Sequence, residues 1–490
     1  MDARRGARIW VVSGLLAVGV GAGAAAGDGW TNNGGNAGRN GRTAELGPDA
    51  PDILWNGIAR TTIIAWQPVI EGSRVFLVRQ TGFPPAGEPH GSPVVALDLD
   101  TGAELWATHI PYETGDWTTW VAGVSGGRVY ASRSGNGASV SAPLYALDAA
   151  TGAILWNSEE EIDAGPYDGV VFAANGDPVI ASFRSIKRIR ATDGSTVWTA
   201  ARTCSVSGNC GGAANLTASP EGFIYVVDSV SGGQVVKKFD LETGAFLYQS
   251  ELMPGFLMQN TPMVGPDGTV FVSRVQNNAV VDFFYAFDDT GSAMTIRWSA
   301  PAGYSTSSEF AVGNDGSVYM VGPGSAQTGY PIRRLDPETG AIVNESAPIF
   351  ADFLTPRMAV DAAGRVFVSN GAFSNGRVYS FNADLTERWS VAVPNVNIGA
   401  PAFGRDGTLV IAGAGADVRA YRTVRGDACP ADWDGSGSVD SSDISAFLTA
   451  WLQSLQEGSL VADFNGDMTV NSADISAFLT AWLQAVQGGC

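Results

Sequence analysis

Along most of the chain, apolar and polar residues alternate in short runs such as Val270-Phe-Val272 and Val318-Tyr-Met320, broken every few positions by Gly, Asp, Asn or Pro. A period of two puts every second side chain on one face, so these runs predict half-buried strands and not helices. Hairpins are predicted over 69–78, 124–131, 170–182, 216–227, 263–273, 310–321, 358–369 and 403–412, several of them turning on Asp-Gly, as at Asp267-Gly268, Asp315-Gly316 and Asp406-Gly407. The pattern changes near the carboxyl end. There Ile444, Phe447, Leu448, Trp451, Leu452 and Ile475, Phe478, Leu479, Trp482, Leu483 fall at i, i+3, i+4, i+7, i+8, which predicts two helices whose apolar stripes pack on each other.

Each hairpin is followed by a second strand pair with a recurring sequence. Ala96-Leu-Asp-Leu-Asp-Thr-Gly-Ala-Glu-Leu-Trp106 returns as Ala146-Leu-Asp-Ala-Ala-Thr-Gly-Ala-Ile-Leu-Trp156, and weaker copies recur near Trp198, Tyr248, Trp298, Val343 and Trp389. A supersecondary unit repeated at this spacing buries its faces only against its neighbours, which predicts a solenoid or a propeller. Asp-x-x-Thr-Gly supplies a glycine where the turn needs positive φ. Eight leading hairpins meet only seven complete trailing ones. Ile53-Leu54-Trp55 matches the strand ending Ile154-Leu155-Trp156, so it is expected to complete the last unit and close the ring. The fold class read from the sequence is an all-β propeller of eight blades, with seven the alternative, followed by a small α-helical module. The Thr-Gly-x-x-x-Trp units, between Trp30 and Tyr421, resemble the pyrroloquinoline-quinone-type propeller repeat. That resemblance implies that Trp106, Trp156, Trp198, Trp298 and Trp389 wedge between neighbouring blades. Tyr248 and Asn344 depart from it, so their junctions are expected to pack differently.

Composition narrows the setting. Arg4, Arg5 and Arg8 precede an apolar run to Val20 and the small residues Ala24-Ala25-Ala26, which reads as a secretory leader over 1–26 and places the protein outside the cell or at its surface. No later stretch is long and apolar enough to span a bilayer. The net charge of −20 makes nucleic acid an unexpected partner and favours divalent cations. Four cysteines in an oxidising compartment suggest disulfides, Cys204 with Cys210 and Cys429 with Cys490, although three pairings are formally open.

Catalytic signals are sparse. The only histidines, His90 and His109, sit in loop-like surroundings, and no Gly-x-Ser-x-Gly or His-Glu-x-x-His motif accompanies them. No catalytic residue is assigned, and a quinone cofactor is not expected, because no two cysteines are adjacent as they are in many alcohol-oxidising members of the repeat family.

The densest site chemistry follows Gly426. The loop Asp432-Trp-Asp-Gly-Ser-Gly-Ser-Val-Asp-Ser-Ser-Asp443 is echoed by Asp463-Phe-Asn-Gly-Asp-Met-Thr-Val-Asn-Ser-Ala-Asp474, and the same ten residues, Ile-Ser-Ala-Phe-Leu-Thr-Ala-Trp-Leu-Gln, follow both. A hard cation needs six or more oxygens from a turning loop, and positions 1, 3, 5, 7, 9 and 12 supply them. The first set is Asp432, Asp434, Ser436, Ser438 through its carbonyl, Asp440 and Asp443. The second is Asp463, Asn465, Asp467, Thr469 through its carbonyl, Asn471 and Asp474. Two calcium ions are expected, with Met468 in place of Gly437 weakening the second loop.

Two such loops, each followed by a helix, resemble a type I dockerin, an EF-hand-like module, and Cys429 with terminal Gly489-Cys490 is similar to the GC type. The resemblance implies a cohesin-like or other extracellular protein partner, met at positions 10 and 11: Ser441, Ser442, Ser472 and Ala473. The organisation is then a leader over 1–26, a propeller over 27–425 and the dockerin-like module over 426–490. The leading functional expectation is a secreted binding or scaffold propeller anchored through that module. The alternative is an extracellular enzyme, either a quinone-dependent oxidoreductase or a component of polysaccharide breakdown.

Overall fold

The computed structural model describes residues 29–57, 67–79, 92–111, 113, 116, 118–134, 140–164, 169–182, 184–203, 215–216, 222–254, 262–273, 284–301, 310–325, 327–350, 357–372, 375–393, 396, 399–412, 418–423, 429–434, 438–457, 462–465 and 469–488. The expectations for the leader, His90, Cys204, Cys210, Ser436, Asp467 and Cys490 lie outside the described residues. The chain divides into two compact units, residues 1–422 and 423–490.

The first unit is an eight-bladed β-propeller. Eight antiparallel sheets follow one another along the chain, seven of four strands and one, blade 4, with a fifth strand at Met253–Pro254. Blades 1 to 7 are each made from consecutive strands, and blade 8 is shared between the two ends of the unit. Its outer strand, Ile53–Gly57, pairs antiparallel with Val418–Tyr421, setting Ile53 against Tyr421 and Gly57 against Val418. The seven-blade alternative is thereby excluded. Joining the two ends within one sheet makes ring opening cost a whole ladder, and it removes an exposed edge.

The second strand of most blades is buried throughout, whereas outer strands carry exposed residues such as Leu105, Ile154 and Val343. Apolar clusters therefore lie between sheets. One joins Phe76, Val94 and Ala96 of blade 1 to Val124, Val129 and Leu147 of blade 2.

The Thr-Gly repeat builds those junctions. In blade 1 one Asp98 carboxylate oxygen accepts from the backbone N–H groups of Asp100 (3.1 Å) and Thr101 (2.9 Å) and from the Thr101 hydroxyl (2.8 Å); Asp148 does the same in blade 2. Donation by that threonine hydroxyl is the main reason both carboxyls lie below the usual aspartate range. The following glycine takes positive φ, 70° at Gly102 and 75° at Gly152. The tryptophan of the preceding blade lies over this turn. A Cβ on Gly152 would stand 2.6 Å from the Trp106 ring, so glycine is demanded both by φ and by the close approach.

From this seat the indole N–H donates to the carbonyl just after the turn aspartate or its counterpart. Trp106 reaches Ala149 (3.1 Å), Trp156 reaches Ala191 (2.9 Å), Trp198 reaches Leu241 (2.9 Å) and Trp298 reaches Pro337 (2.8 Å). Trp55 of the closing strand reaches Leu99 (2.7 Å), carrying the same lock from blade 8 to blade 1. Trp389 is the exception. Its Nε1 is buried with no hydrogen-bond partner, because blade 8 takes its outer strand from the other end of the unit and has no Asp-x-x-Thr-Gly turn to offer.

The two divergent junctions do pack differently. At blades 4 and 5 the Tyr248 hydroxyl donates to Asp289 (2.5 Å), which also pairs with Lys238 (2.8 Å) and accepts from Tyr225. The Lys238 ammonium stands 3.5 Å from the Phe223 ring centroid. Burial favours the neutral form of Asp289, but the donors Lys238, Tyr225 and Tyr248 outweigh it and hold the carboxyl below its ordinary value. At blades 6 and 7, Arg334 sends its guanidinium to the Ala383 carbonyl (3.3 Å), the acceptor a tryptophan uses elsewhere.

Among its described residues the second unit contains two helices, α1 (Ser441–Glu457) and α2 (Ser472–Gly488). Phe447 of α1 and Phe478 of α2 stack at 4.2 Å with 9° between their planes. Trp433 stands edge-on to Phe447 at 4.9 Å, and Phe464 edge-on to Phe478 at 5.4 Å, so the centre is a four-ring cluster built from equivalent residues of both halves. The expected stripes are only partly used. Leu448, Leu452 and Leu483 are 37%, 54% and 52% exposed, because two helices meeting along one line cover Ile444, Phe447 and Trp451 and their counterparts but not a stripe five residues wide. No helix among the described residues is long and apolar enough to cross a membrane.

Candidate metal centre

Each loop of the second unit turns directly into a helix, and its last ligand-type residue is also the residue that fastens the helix start. Asp443 is fully buried. Its Oδ1 accepts from the Asp434 backbone N–H (3.0 Å) and its Oδ2 from that of Asp440 (2.9 Å), so one carboxylate binds loop positions 3 and 9 together. Asp440 precedes α1, and its Oδ1 accepts from the Ser442 N–H (2.7 Å) and hydroxyl (2.6 Å). Asp440 is thus an N-cap, and Asp443 reaches back to the cap's own N–H, a reciprocal arrangement that satisfies two of the donors a helix start leaves open. The Ser442 hydroxyl, its N–H and burial, in effect in that order, decide the Asp440 carboxyl, which lies below the usual range.

The second loop repeats this geometry. Buried Asp474 accepts from the backbone N–H groups of Asn465 (3.2 Å) and Asn471 (2.8 Å), and the Asn471 side chain caps α2 through the Ala473 N–H (2.7 Å). Burial pushes the Asp474 carboxyl up, but the N–H donors of Asn471, Asn465 and Phe464 together leave it below the ordinary value. The two halves also hold each other. Trp451 of α1 donates to the Asn471 carbonyl in the second loop (2.9 Å), and Trp482 of α2 donates to the Asp440 carbonyl in the first (2.8 Å).

In the first loop, single oxygens of Asp432, Asp434 and Asp443 lie within 4.8 Å of one another. Like charges about 4 Å apart repel by between about 1 kcal/mol in water and about 4 kcal/mol at a protein surface, which a hard divalent cation offsets. The donor set, all oxygen and mostly carboxylate, suits calcium. Ser438, Asp440, Asp463, Asn465, Thr469, Asn471 and Asp474 stand on the same two turns. Ser441, Ser442, Ser472 and Ala473 occupy the exposed first turns of the helices. Cys429, just ahead of the first loop, is disulfide-bonded, and its partner lies outside the described residues.

In the propeller, His109 is exposed on a shallow recess between blades 1 and 2 that Arg133 also lines. Arg133 is itself tied to Asp116 (2.9 Å) and Glu113 (3.1 Å). Two groupings escaped the sequence reading. The Lys238–Asp289 cluster draws on two blades. The segment 29–47 ahead of the first strand meets blade after blade at the centre of the ring, and only its evenly spaced Asn32, Asn36 and Asn40 hinted at a recurring partner.

Eight sheets, five of whose junctions are locked by a tryptophan over an Asp-x-x-Thr-Gly turn or its counterpart, define a propeller of pyrroloquinoline-quinone-like repeats. The PQQ_2 family model, described as outer membrane protein assembly factor BamB, matches residues 90–343, more than half of the chain, and the chain belongs to this family. Among solved structures, the quinohemoprotein alcohol dehydrogenase of Comamonas testosteroni is 13% identical, with a TM-score of 0.54 over 82% of this chain and 81% of that one. A second quinohemoprotein alcohol dehydrogenase, from Pseudomonas putida HK5, is 14% identical, with a TM-score of 0.53 over 94% of this chain and 96% of the other. A europium-containing methanol dehydrogenase is 11% identical, with a TM-score of 0.54 over 89% and 96%. At these identities the likeness is one of fold. No curated protein sequence matches the chain.

Proposed function

We propose that this protein is exported by its leader and works outside the cell or at its surface as a binding or scaffold ring. In this reading residues 426–490 form a dockerin-like module, two calcium ions order its loops, and the ordered module docks on a cohesin-like or other extracellular protein. The observation that carries the reading is the duplicated loop, in which a buried aspartate at position 12 ties positions 3 and 9 in both halves and an oxygen-only cluster forms in the first. Metal binding by such a loop stabilises whatever fold presents it. The Cys429–Cys490 and Cys204–Cys210 pairings belong to the same proposal.

The dehydrogenase alternative has the fold likeness on its side, but the residues do not fit a quinone site of the alcohol-oxidising kind, since no two cysteines are adjacent. The family's description as an assembly factor supports a non-catalytic use of the ring. The deciding experiment is capture of partners from the secreted fraction by the full chain, with calcium and with chelator. Recovery of one extracellular protein only with calcium supports the anchor. Identical recovery in both conditions rejects it, and dye-linked alcohol oxidation on adding quinone would favour the enzyme.

A further inference from the structure

In a propeller the innermost strand of every blade is an edge, and its outward N–H groups face the axis with no neighbouring strand to accept them. In this ring, five such groups on five blades converge on one short stretch of chain. Ile70 of blade 1 donates to the Trp30 carbonyl (2.8 Å), Val124 of blade 2 to Thr31 (2.8 Å), Val264 of blade 5 to Gly38 (2.9 Å), Val312 of blade 6 to Asn40 (2.9 Å) and Val360 of blade 7 to Gly41 (2.7 Å).

Side chains extend the pattern to blades 3 and 8 and reinforce it at blade 5. Asn32 Nδ2 donates to the Val170 carbonyl at the start of blade 3 (3.0 Å), and Asn40 Nδ2 to that of Val264 (2.8 Å). Gln67 accepts from the Gly34 N–H (2.8 Å) and donates to the Pro401 carbonyl (2.6 Å), bridging the segment to the approach to blade 8. Trp30, Asn32, Arg39 and Asn40 are all buried. The glycines are required by closeness: a Cβ on Gly38 would stand 2.9 Å from the Val264 carbonyl oxygen, and one on Gly41, at φ +69°, 3.0 Å from that of Met358.

We propose that residues 29–47 are an internal plug, a peptide ligand that the chain supplies to its own hub, and that the inner edges of the blades are held as one unit through it. The segment has no strand or helix of its own: beyond short turns within itself, such as the Gly41 N–H to the Gly34 carbonyl (2.9 Å), its bonds reach residues far away in sequence. Its order and that of the five edges are therefore mutually dependent.

Hydrogen exchange on the full chain tests this. Gly38→Val drives a side chain against the Val264 carbonyl without altering any blade. Peptides covering Ile70, Val124, Val264, Val312 and Val360 are expected to exchange at least tenfold faster together, while those covering Val272 and Val368, on second strands, keep their rates. Trypsin is expected to cut after Arg39 in the variant and not in the parent. Acceleration confined to the neighbourhood of Val264 and Val312 overturns the proposal. Should Gly38→Val fail to fold, Asn40→Ala, which adds no bulk, is expected to give the same five-peptide pattern at a smaller factor; a change at Val264 alone overturns it equally.

Discussion

The two units of this chain solve the same problem with very different reserves. The propeller repeats one junction around a ring, so each tryptophan lock is backed by others like it and by apolar clusters on either side. The described residues of 423–490 have a single buried cluster centred on Phe447 and Phe478, two crossed indole bonds and a disulfide at Cys429. A core this small supplies on the order of 3–5 kcal/mol, which is why modules of this size use disulfides or metals as staples. Redundancy separates the two more than the strength of any one contact does.

Equal damage to the two regions should therefore have unequal consequences. Trp298→Ala and Phe478→Ala each remove a large buried ring at a cost of about 3–5 kcal/mol. Calorimetry is expected to show the first as a lowered propeller transition that remains cooperative, and the second as complete loss of the transition from the small unit. A ring that unfolds entirely in the Trp298 variant would cancel the distinction.

Metal sharpens it next. At calcium one hundredfold above its dissociation constant, the small unit is expected to gain about 2.7 kcal/mol for each loop that binds, and Asp432→Ala with Asp463→Ala should abolish the gain, leaving the propeller melt where it was. A propeller transition that follows calcium just as closely would contradict the assignment of the ions to these loops.

Within the propeller the odd junction is the next point of attack. Tyr248→Phe removes one donor to the Asp289 carboxylate and is expected to cost about 1.5–3 kcal/mol in urea unfolding, the usual worth of a hydrogen bond to a charged group. The smallest effect is that of pH. Because Asp289 titrates below its ordinary value when folded, its contribution is present above the unfolded aspartate pKa and is lost as pH falls towards the depressed folded one. Between pH 5 and pH 3 the parent should lose more stability than Asp289→Asn does, as read from urea midpoints at each pH.

Much of this fold was legible because its determinants are local and repeated. Asp98, Thr101, Gly102 and Trp106 lie within one hairpin, so their spacing survives in the sequence of every regular blade. Ile53-Leu54-Trp55 could be matched to blade 8 for the same reason. In the small unit, Asp440 and Asn471 are at once candidate cation ligands and helix N-caps, which makes the loop readable at two levels at once.

What stayed hidden has non-local partners. Tyr248 is visibly not a tryptophan, but its acceptor Asp289 sits 41 residues on, in the next blade. Leu448, Leu452 and Leu483 satisfy the helical period as well as Phe447 does, and only the count of helices available to cover them separates the two groups. The hub segment 29–47 has neither period.

By itself the sequence determined the repeating blade, the Asp-x-x-Thr-Gly turn of the outer hairpin in the regular blades and the oxygen-rich loops, since each depends on steric and hydrogen-bond demands within about a dozen residues. The exclusion of seven blades, the plug at the ring's axis and the crossed grip of Trp451 and Trp482 were decided only in three dimensions. They arise where edges left unpaired by local structure find acceptors elsewhere in the chain, and no local pattern records which acceptors those will be.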